Sequence, residues 1–415
     1  MKKVNNKILV KLSLLMLVAF TTNSCIEEIE TSSFTFEKLL VVDANISDQT
    51  KPHEVRLTYT APVDGDVDDI SNAVSGATVW VEDDLGSRVD FVEQSAGIYS
   101  SPTTFAGKPG RSYALFITTS EGKRYQSLFE KLVQAPEISA IYNRFAIEST
   151  GQTAESIPGV QFFIDVEDDS QSTQFYRYEW TDAHQIIVPF LKKWEAIPTY
   201  GFSVTFKIVP FNEDVKECYR ESQFNELILA TSANNINDGL SEIPVNFIAA
   251  SEFDVTTMYS IEVTQRAISA QAFSYYRKME LFNESNGSLF DKQQGVIVGN
   301  ISSIDSPDEQ VLGYFEVAGA SSKRVFVEPF DLDEKVMDYI VRPCEKYPVL
   351  EYEKSLELFY DPKYLSDAEQ ATIVPIRELY ELYDIDEGTP VKFLAHHLCA
   401  DCRRRGSIGK PDWWP

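Results

Sequence analysis

Histidine is scarce in this chain: only His53, His184, His396 and His397 occur among 415 residues. None of them belongs to an HExxH metalloprotease motif, and the sequence contains neither a GxSxG nucleophile elbow nor a Walker phosphate loop. A Ser-His-Asp site would need partners far apart in the sequence, which spacing alone does not reveal. We therefore expect a protein that is not an enzyme and uses no cofactor, with a hydrolase as the less favoured alternative.

Positive charge is also in short supply. The chain has 37 basic residues against 64 acidic ones, which gives a formal net charge of −27 at pH 7. Such a surface repels phosphate groups, so the composition argues against nucleic acid as a partner and against a position flat on an anionic membrane leaflet. Hydrophobic residues make up 43% of the chain, which is enough for a sizeable core and argues against wholesale disorder.

The clearest long apolar run lies near the N-terminus, at residues 12–20, and it is too short to span a bilayer. Four lysines lie within residues 2–11, small or polar residues occupy 21–24, and Cys25 follows at once. This order is typical of a secretory signal peptide. A cysteine at the cleavage point is similar to the acylated cysteine of bacterial lipoproteins. We predict that residues 1–24 are removed and that Cys25 carries the lipid; the alternative is an ordinary signal peptide with a chance cysteine.

The segment after Cys25 is acidic. Residues 25–36 are predicted to form the lipid anchor and a tether, with Glu27, Glu28 and Glu30 at its start. These residues resemble the acidic export tag that carries lipoproteins of Bacteroidota to the outer face of the outer membrane; a solvated acidic linker is the alternative. We expect a lipid-anchored outer-membrane protein that faces the cell exterior. Removal of the signal peptide takes away four lysines and no acid, which lowers the net charge to −31.

Four cysteines remain after the anchor. Cys218, Cys344, Cys399 and Cys402 are predicted to form two disulfides outside the cytoplasm, with three connectivities open. The last two form a CxxC motif beside two histidines, and a zinc site is the alternative there. One CxxC motif without a second pair is a weak signal for zinc, and oxidation would remove the thiolates. We therefore expect disulfides and no metal.

The first part of the mature chain alternates apolar and polar residues, which indicates β-strands with one buried face. Strands are predicted at 39–46, 54–61, 77–82, 88–93, 111–119 and 123–130. Turn residues such as Ser120-Glu121-Gly122 separate them, and no helical period lies between them. Short strands at this spacing predict an immunoglobulin-like β-sandwich over residues 37–134. Gly97-Ile98-Tyr99, and Pro109-Gly110 followed by Tyr113, resemble the small transthyretin-like sandwich.

A larger central β domain is predicted over residues 135–329. Its strands are predicted at 159–166, 175–180, 202–209, 226–230, 243–248, 258–265, 295–300, 310–318 and 323–328. One helix interrupts them at about 270–283, where Ser269 can cap the N-terminus. Residues 330–415 are predicted to be an irregular segment that is stapled by disulfides and packed on the central domain. Pro375 predicts a helix within it, over 376–383. The fold class is therefore mainly β.

Several short motifs together resemble a family of outer-membrane lipoproteins of Bacteroidota that is known only as a domain of unknown function. They are GSLFD at 287–291, GNI at 299–301, GYF at 313–315, CADCR at 399–403 and KPDWW at 410–414. The resemblance covers most of the mature chain and is most specific in the tail. It implies a β-rich protein at the cell surface, often encoded beside a TonB-dependent outer-membrane receptor. It implies no catalytic residues.

Aromatic residues supply one candidate ligand site. Trp180, Trp194 and Tyr200 lie in an aromatic-rich segment and could form a binding platform, because exposed aromatic rings give contact area at low entropy cost. The alternative is that they belong to the core of a sandwich.

The C-terminal tail supplies a candidate partner contact. Arg403, Arg404 and Arg405 form a basic cluster, and Trp413 and Trp414 follow it. Arginine and tryptophan are enriched at interface hot spots. The alternatives are that the arginines pair with carboxylates of the same chain and that the tail is buried against its own domain.

One acidic loop resembles a calcium site. Asp64, Asp66 and Asp68 alternate as the ligands of a calcium loop do, but Asp69 stands where the loop needs glycine, and Ser75 where it needs glutamate. A solvated acidic loop between strands is the favoured interpretation.

Three functional hypotheses follow from these patterns. The first is a binding or accessory subunit of a TonB-dependent nutrient uptake system, held at the outer membrane by acyl chains. The second is a structural or assembly factor of the outer membrane that binds no small ligand. The third is a hydrolase. A concave aromatic pocket would favour the first, exposed apolar patches the second, and a histidine beside a nucleophile the third.

Overall fold

The computed structural model describes most of the chain. It covers residues 38–61, 72–149, 156–167, 174–192, 194–199, 205–233, 239–251, 256–284, 297–340, 344, 346–349, 380–383 and 392–415. The predictions for Cys25, for Tyr200 and for Asp64, Asp66 and Asp68 lie outside the described residues.

The chain divides into two compact units. One comprises Met1–Lys38 and Thr60–Ile70, and of it only Lys38, Thr60 and Ala61 are described. The other comprises Leu39–Tyr59 and Ser71–Pro415, and the following description concerns this unit. Among the residues described, no helix is both long and apolar enough to cross a membrane.

The described residues are mainly β-strand, as the sequence predicts. In chain order the elements are β1 (Leu40–Ser47), β2 (Glu54–Tyr59), β3 (Thr78–Asp83), β4 (Arg88–Ser95), β5 (Ile98–Ser100), β6 (Ser112–Thr118), β7 (Arg124–Ser127), β8 (Glu130–Lys131), β9 (Ile138–Ser149), β10 (Ser156–Val166), β11 (Phe175–Ile187), β12 (Trp194–Thr199), β13 (Thr205–Pro210), β14 (Glu217–Thr231), β15 (Leu240–Ala249), β16 (Tyr259–Ala267), α1 (Ala270–Glu284), β17 (Ile301–Ser303), β18 (Val311–Val327), α2 (Glu334–Met337), β19 (Lys346–Val349), β20 (Tyr380–Tyr383) and β21 (Lys392–His396). The predicted helix within the central region is confirmed as α1.

The N-terminal strands form the predicted sandwich. They follow the order β1-β2-β5-β4-β3-β6-β7-β17, with β8 beside β6. In β1, Leu40, Val42, Ala44 and Ile46 are buried, because alternate side chains of a strand point to the same face. These side chains join one core with apolar residues of the facing strands, such as Leu115 of β6.

The central region is a second sandwich. Strands β14-β11-β16-β18 form one sheet and β15-β10-β9 form the other. Tyr176 and Tyr178 of β11 and Phe162 and Ile164 of β10 are buried in the same core between the sheets. Helix α1 packs on the opposite face of the first sheet, where Phe273 contacts Phe175.

Strand β18 belongs to both sandwiches. Its residues 311–318 pair in parallel with β1, and its residues 319–327 pair antiparallel with β16. The two strands predicted at 310–318 and 323–328 are therefore one continuous strand. The strand predicted at 295–300 is wrong for its described part, because residues 297–300 are irregular and β17 begins at Ile301. Strand β17 pairs with β7, so a strand from the predicted central region extends the N-terminal sheet.

Two motifs of the family resemblance meet in the core. The Asn300 amide donates from Nδ2 to the Phe315 carbonyl at 2.9 Å and accepts at Oδ1 from the Phe315 amide at 2.9 Å. The side chain thus pairs with the backbone of β18 as a neighbouring strand would. Gly299 and Gly313 are packed backbone to backbone there, since a Cβ at Gly299 would lie 1.6 Å from the Gly313 oxygen. These residues have a structural role.

A buried ion cluster lies on the face of the first central sheet that α1 covers. Glu316 is fully buried and accepts two hydrogen bonds from Arg177, from Nε at 2.8 Å and from Nη2 at 2.9 Å. Glu179 bridges Arg177 and Arg266, with oxygen–nitrogen distances of 2.6 and 3.1 Å. Burial alone would raise the pKa of Glu179, but the guanidinium groups of Arg266 and Arg177 outweigh it and lower the pKa from 4.5 to about 2.

The cluster makes stability depend on pH in the acid range. A carboxylate whose pKa is lower in the folded than in the unfolded chain stabilises the fold fully above the unfolded pKa, and the contribution is lost as the pH falls. We expect wild type to lose its stability advantage over Glu179→Gln between about pH 4.5 and pH 2. Urea unfolding of both proteins across this range measures it, and a difference that does not change with pH would contradict the prediction.

One disulfide ties the C-terminal segment to the central sandwich, and a second lies within the segment. Cys218 is bonded to Cys402, with 5.4 Å between the Cα atoms, and Cys344 to Cys399, with 5.7 Å. The prediction of two disulfides is confirmed, and each cysteine of the CxxC motif bonds to a distant partner. The predicted helix over 376–383 is wrong at its described end, because Tyr380–Tyr383 is strand β20 and pairs with β21.

Removing the longer disulfide should destabilise the protein strongly. The Cys218–Cys402 bond closes a loop between residues 184 positions apart, so it restricts the unfolded chain. We expect Cys218→Ala with Cys402→Ala to lower the free energy of unfolding by about 2 to 4 kcal/mol. Urea unfolding without reductant measures this. Cys344→Ala with Cys399→Ala, across 55 positions, is the control and should give a somewhat smaller entropic loss. An unchanged unfolding midpoint in the first variant would contradict the prediction.

Candidate functional site

A pocket of about 600 Å³ opens at the edge of the central sandwich and is lined by residues of both sheets and of α1. It lies where β14, at one end of the first sheet, approaches β15, at one end of the second. The lining residues come from five strands and from α1: Glu148, Gln161, Trp180, Phe224, Glu226, Leu227, Ile228, Leu229, Pro244, Val245, Asn246, Phe247 and Glu280. We call it the inter-sheet pocket.

Bulges in both edge strands shape the pocket. Tyr178 and Trp180 of β11 are two residues apart and pair with Ile228 and Phe224 of β14, which are four residues apart. Strand β14 therefore has two extra residues at this point. Strand β15 has one extra residue, Val245, between its pairs with Phe162 and Phe163 of β10. A bulge bends its strand and interrupts the ladder. Glu226 and Leu227 of the first bulge and Val245 of the second line the pocket.

Trp180 forms the buried wall of the pocket. Its side chain is 2% exposed and stacks on Phe224, with 5.4 Å between ring centroids and 11° between the planes. Its indole Nε1 is buried and has no hydrogen-bond acceptor among the described residues. Trp80, in contrast, donates from Nε1 to Glu82 at 2.8 Å. A buried donor without an acceptor costs about 1 to 3 kcal/mol, so this N–H is a group that a ligand acceptor would satisfy.

The two amide side chains of the pocket use their nitrogen atoms elsewhere. Gln161 Nε2 donates to the carbonyls of Phe162 at 3.1 Å and of Asn246 at 3.0 Å. Asn246 Nδ2 donates to the Tyr259 hydroxyl at 2.8 Å, which itself donates to Asp182. Because backbone carbonyls only accept, the orientation of the Gln161 amide is fixed. Gln161 can still offer a ligand its acceptor oxygen, and Asn246 can offer an acceptor oxygen and one remaining N–H.

The charged groups of the lining are all acidic. They are Glu148 of β9, Glu226 of β14 and Glu280 of α1. Glu280 forms an ion pair with Arg277, whereas Glu148 and Glu226 have no ion-pair partner in the described part of the chain. The pocket therefore combines an aromatic wall, acceptor oxygens and two unpaired carboxylates.

The match to a family of proteins covers this whole site. The family model for a domain of unknown function, DUF4249, matches residues 26–324. The chain belongs to the DUF4249 family. A search of the curated proteins found no relative. The matched residues end before the C-terminal tail, where the sequence resemblance is most specific, but they contain every residue that lines the inter-sheet pocket.

Two histidine side chains of this DUF4249 protein are described, those of His184 and His53. His184 Nε2 lies 3.4 Å from Asp182 Oδ1, and both side chains are about 97% buried in the central sandwich. His53 is also buried, and its Nε2 lies 3.2 Å from the Gln49 carbonyl oxygen. These contacts join histidine to a carboxylate and to a backbone carbonyl, and neither involves a serine or a cysteine. Among the described residues, no cluster of three or more His, Cys, Asp or Glu side chains could hold a metal ion.

The other aromatic candidates from the sequence are not brought to the pocket by the described structure. Trp194 begins β12, which pairs with β13, and Tyr200 lies outside the described residues. Of that group only Trp180 lines the pocket, and it is also part of the sandwich core.

The tail candidates of the DUF4249 protein pack on the outer surface of the central sandwich. Trp414 is buried against Tyr219, with ring centroids 5.3 Å apart, and Trp413 lies under the Arg324 guanidinium at 3.7 Å. Arg403 forms ion pairs with Asp401 and Glu213. Arg404 and Arg405 follow it along the chain and also have partners.

Sequence reasoning missed most of the pocket. Glu148, Gln161, Phe224, Glu226 and Asn246 were not singled out, because nothing in their spacing marks them. One signal was present: Pro244 lies inside a predicted strand, and proline within a strand indicates an edge or a bulge.

Proposed function

We propose that this DUF4249 protein is a non-catalytic binding protein at the outer face of the outer membrane, anchored through Cys25. It holds a small ligand in the inter-sheet pocket and works beside a TonB-dependent receptor as an accessory subunit for nutrient uptake.

The observation that carries the binding role is the Trp180 indole N–H, which is buried at the pocket wall without an acceptor among the described residues. Nine buried side-chain atoms lack a hydrogen-bond partner among the described residues, and Trp180 Nε1 is the one whose residue lines the pocket. The volume of about 600 Å³ is within the range of small-molecule sites. Aromatic and acceptor groups converge there, as they do in binding sites.

The proposed role beside a receptor is supported by features of the sequence. The lipoprotein family that the sequence resembles is often encoded beside TonB-dependent receptors, and an acyl anchor at Cys25 would confine the protein to the membrane plane. Confinement raises the effective concentration of one membrane protein near another. The tail supplies a contact surface, because Arg403 is exposed and the Trp413 side chain is 40% exposed.

The central test is purification of tagged protein from membranes in mild detergent, with identification of the proteins that accompany it. We expect a TonB-dependent receptor to co-purify with wild type, and Cys25→Ala to be released from the membrane fraction. In a deletion strain, Leu227→Trp, which adds bulk to the pocket lining, should restore membrane association but not nutrient uptake. If no receptor co-purifies and the deletion changes uptake of no nutrient tested, the transport role is wrong.

Loss of the indole donor should weaken ligand binding. Trp180→Phe keeps an aromatic ring beside Phe224 but removes the N–H, so we expect affinity for the transported compound to fall about tenfold, the value of one buried hydrogen bond. Calorimetry with compounds whose uptake the deletion abolishes measures the change. Trp80→Phe, which changes a tryptophan of the N-terminal sandwich, is the control and should leave affinity unchanged. Equal affinities of the two variants for the compound would show that Trp180 does not bind the ligand.

A structural or assembly role is the second candidate, and exposed apolar side chains favour it. Phe330 is 78% exposed, Met337 46% and Tyr339 47%, all within one short segment after β18. Such a group suits contact with another protein. Under this alternative, Phe330→Ser would impair outer-membrane integrity while Leu227→Trp would not. The opposite pattern supports the binding role.

A further inference from the structure

We propose that the inter-sheet pocket selects a small organic cation of the primary ammonium or guanidinium class, with an aromatic or apolar body and one hydrogen-bond acceptor. This inference rests on the proposed binding function, because it names the ligand class of the same pocket. It is carried by the charges, the hydrogen-bonding atoms and the aromatic rings of the lining.

The sign of the charge follows from the lining residues. Glu148 and Glu226 form no ion pair within the described part of the chain, and no lysine, arginine or histidine is among the described residues that line the pocket. The third acid, Glu280, is balanced by Arg277. The chain as a whole has a net charge of −27, so its field adds to that of the two carboxylates. An anionic ligand would meet like charge at the entrance, and a cation would be attracted.

The kind of cation follows from the hydrogen-bonding atoms. Gln161 Nε2 makes two hydrogen bonds within the protein, so this amide presents oxygen to a ligand, and Asn246 presents oxygen beside one remaining N–H. Carboxylates only accept. A primary ammonium or a guanidinium group has several N–H donors, whereas a quaternary ammonium has none. The acceptor-rich lining therefore favours the first two, and the indole N–H of Trp180 needs one acceptor on the same ligand.

The body of the ligand follows from the aromatic and apolar wall. Phe224 is 36% exposed on top of Trp180, and Phe247, Leu227 and Pro244 complete the wall. Apolar surface of a ligand gains free energy by packing there. A cation above the face of a phenylalanine ring is also attracted by the ring quadrupole. A bare metal ion would use neither feature, and the described carboxylates do not converge into a metal site.

A matched pair of peptides tests the class directly. Phenylalanyl-arginine amide carries an ammonium, a guanidinium, an aromatic ring and carbonyl acceptors. Acetyl-phenylalanyl-citrulline amide has nearly the same shape and no charge. In calorimetric titrations of the mature protein we expect the cationic peptide to bind at least about tenfold more tightly. Its affinity should fall when ionic strength rises from about 0.01 to 0.15 M, because salt screens partly exposed charges.

Two isosteric variants locate the effect. Glu226→Gln removes a pocket carboxylate, and Glu221→Gln removes an exposed carboxylate of the same strand that does not line the pocket. Both change the net charge by the same amount. We expect the cationic peptide to bind Glu226→Gln about three- to tenfold more weakly than wild type, and Glu221→Gln as well as wild type.

The possible results separate this inference from the proposed function. Equal binding of the two peptides, equal effects of the two variants, or no binding of either peptide overturns the assignment of a cation. If the neutral peptide binds wild type and loses affinity in Trp180→Phe, the pocket binds ligands but of another class. Receptor co-purification is measured independently of either peptide, so its failure counts against the uptake role alone.

Discussion

Replacement of the buried Glu316 by glutamine is expected to lower the free energy of unfolding by about 3 to 5 kcal/mol. The carboxylate is fully buried and holds Arg177 through two hydrogen bonds, with Arg266 at 3.8 Å. Burial alone would raise the pKa of Glu316, but the neighbouring Arg177 outweighs it and keeps that pKa below the usual value. Without the carboxylate, two guanidinium groups remain in the interior with only Glu179 to balance them.

Urea unfolding at neutral pH measures this loss. Glu262→Gln is the control, because the Glu262 side chain is 37% exposed and pairs with Arg324 near solvent. An ion pair so exposed contributes at most about 1 kcal/mol. If the two glutamine variants are equally stable, the buried cluster does not have the energetic role inferred for it.

Replacement of Gly313 by alanine is expected to prevent correct folding or to lower the free energy of unfolding by more than about 4 kcal/mol. The residue has a φ of +103°, and an added Cβ would lie 1.8 Å from the Val42 carbonyl oxygen. Relief of this clash requires β18 to move away from β1, which would also break the ladder between them. Thermal unfolding and the yield of folded protein measure the effect.

A matched variant separates the clash from backbone strain. Gly110 also has a positive φ, +87°, but an added Cβ meets nothing within 4 Å. Gly110→Ala should therefore show only the strain of a left-handed residue, of order 1 kcal/mol. Similar losses in both alanine variants would mean that conformation, and not close packing, makes glycine necessary at residue 313.

The sequence predicts strands well where alternation is local and one face is buried. The six predicted N-terminal strands correspond to β1, β2, β3, β4, β6 and β7, because each alternates apolar and polar residues within itself. The disulfide pairing was left open, since it depends on which distant segments meet.

The errors in the predicted secondary structure arise where tertiary contacts determine whether a segment forms a strand. Residues 319–322 interrupt the alternation of apolar and polar residues in β18. The strand continues through them because β16 pairs with these residues. Gly319 is needed there for another reason: an added Cβ would lie 2.1 Å from the Val133 carbonyl oxygen. Strand β20 replaces the expected helical end because β21 lies beside it. The periodicity of the sequence within β18 or β20 does not reveal that β16 or β21 lies beside it.

The candidate site was predicted only through Trp180. The aromatic composition of the segment singles this residue out, but its use depends on the register of β14, which places Phe224 opposite it. Glu148 and Glu226 lie far apart in the sequence and line one pocket only because the two sheets of the central sandwich pack together. A pocket between sheets is a property of their packing, and single-strand patterns do not encode it.

The sharing of β18 by both sandwiches has a consequence for biosynthesis. Asp48, just after β1, is hydrogen-bonded to Ala320, which lies 272 positions further along the chain. At about 5 to 20 residues per second, the ribosome needs roughly 15 to 50 s to make that interval. Until then one edge of β1 lacks its partner, and an unpaired strand edge is a template for aggregation. The protein therefore needs protection of its first strands while the rest of the chain emerges.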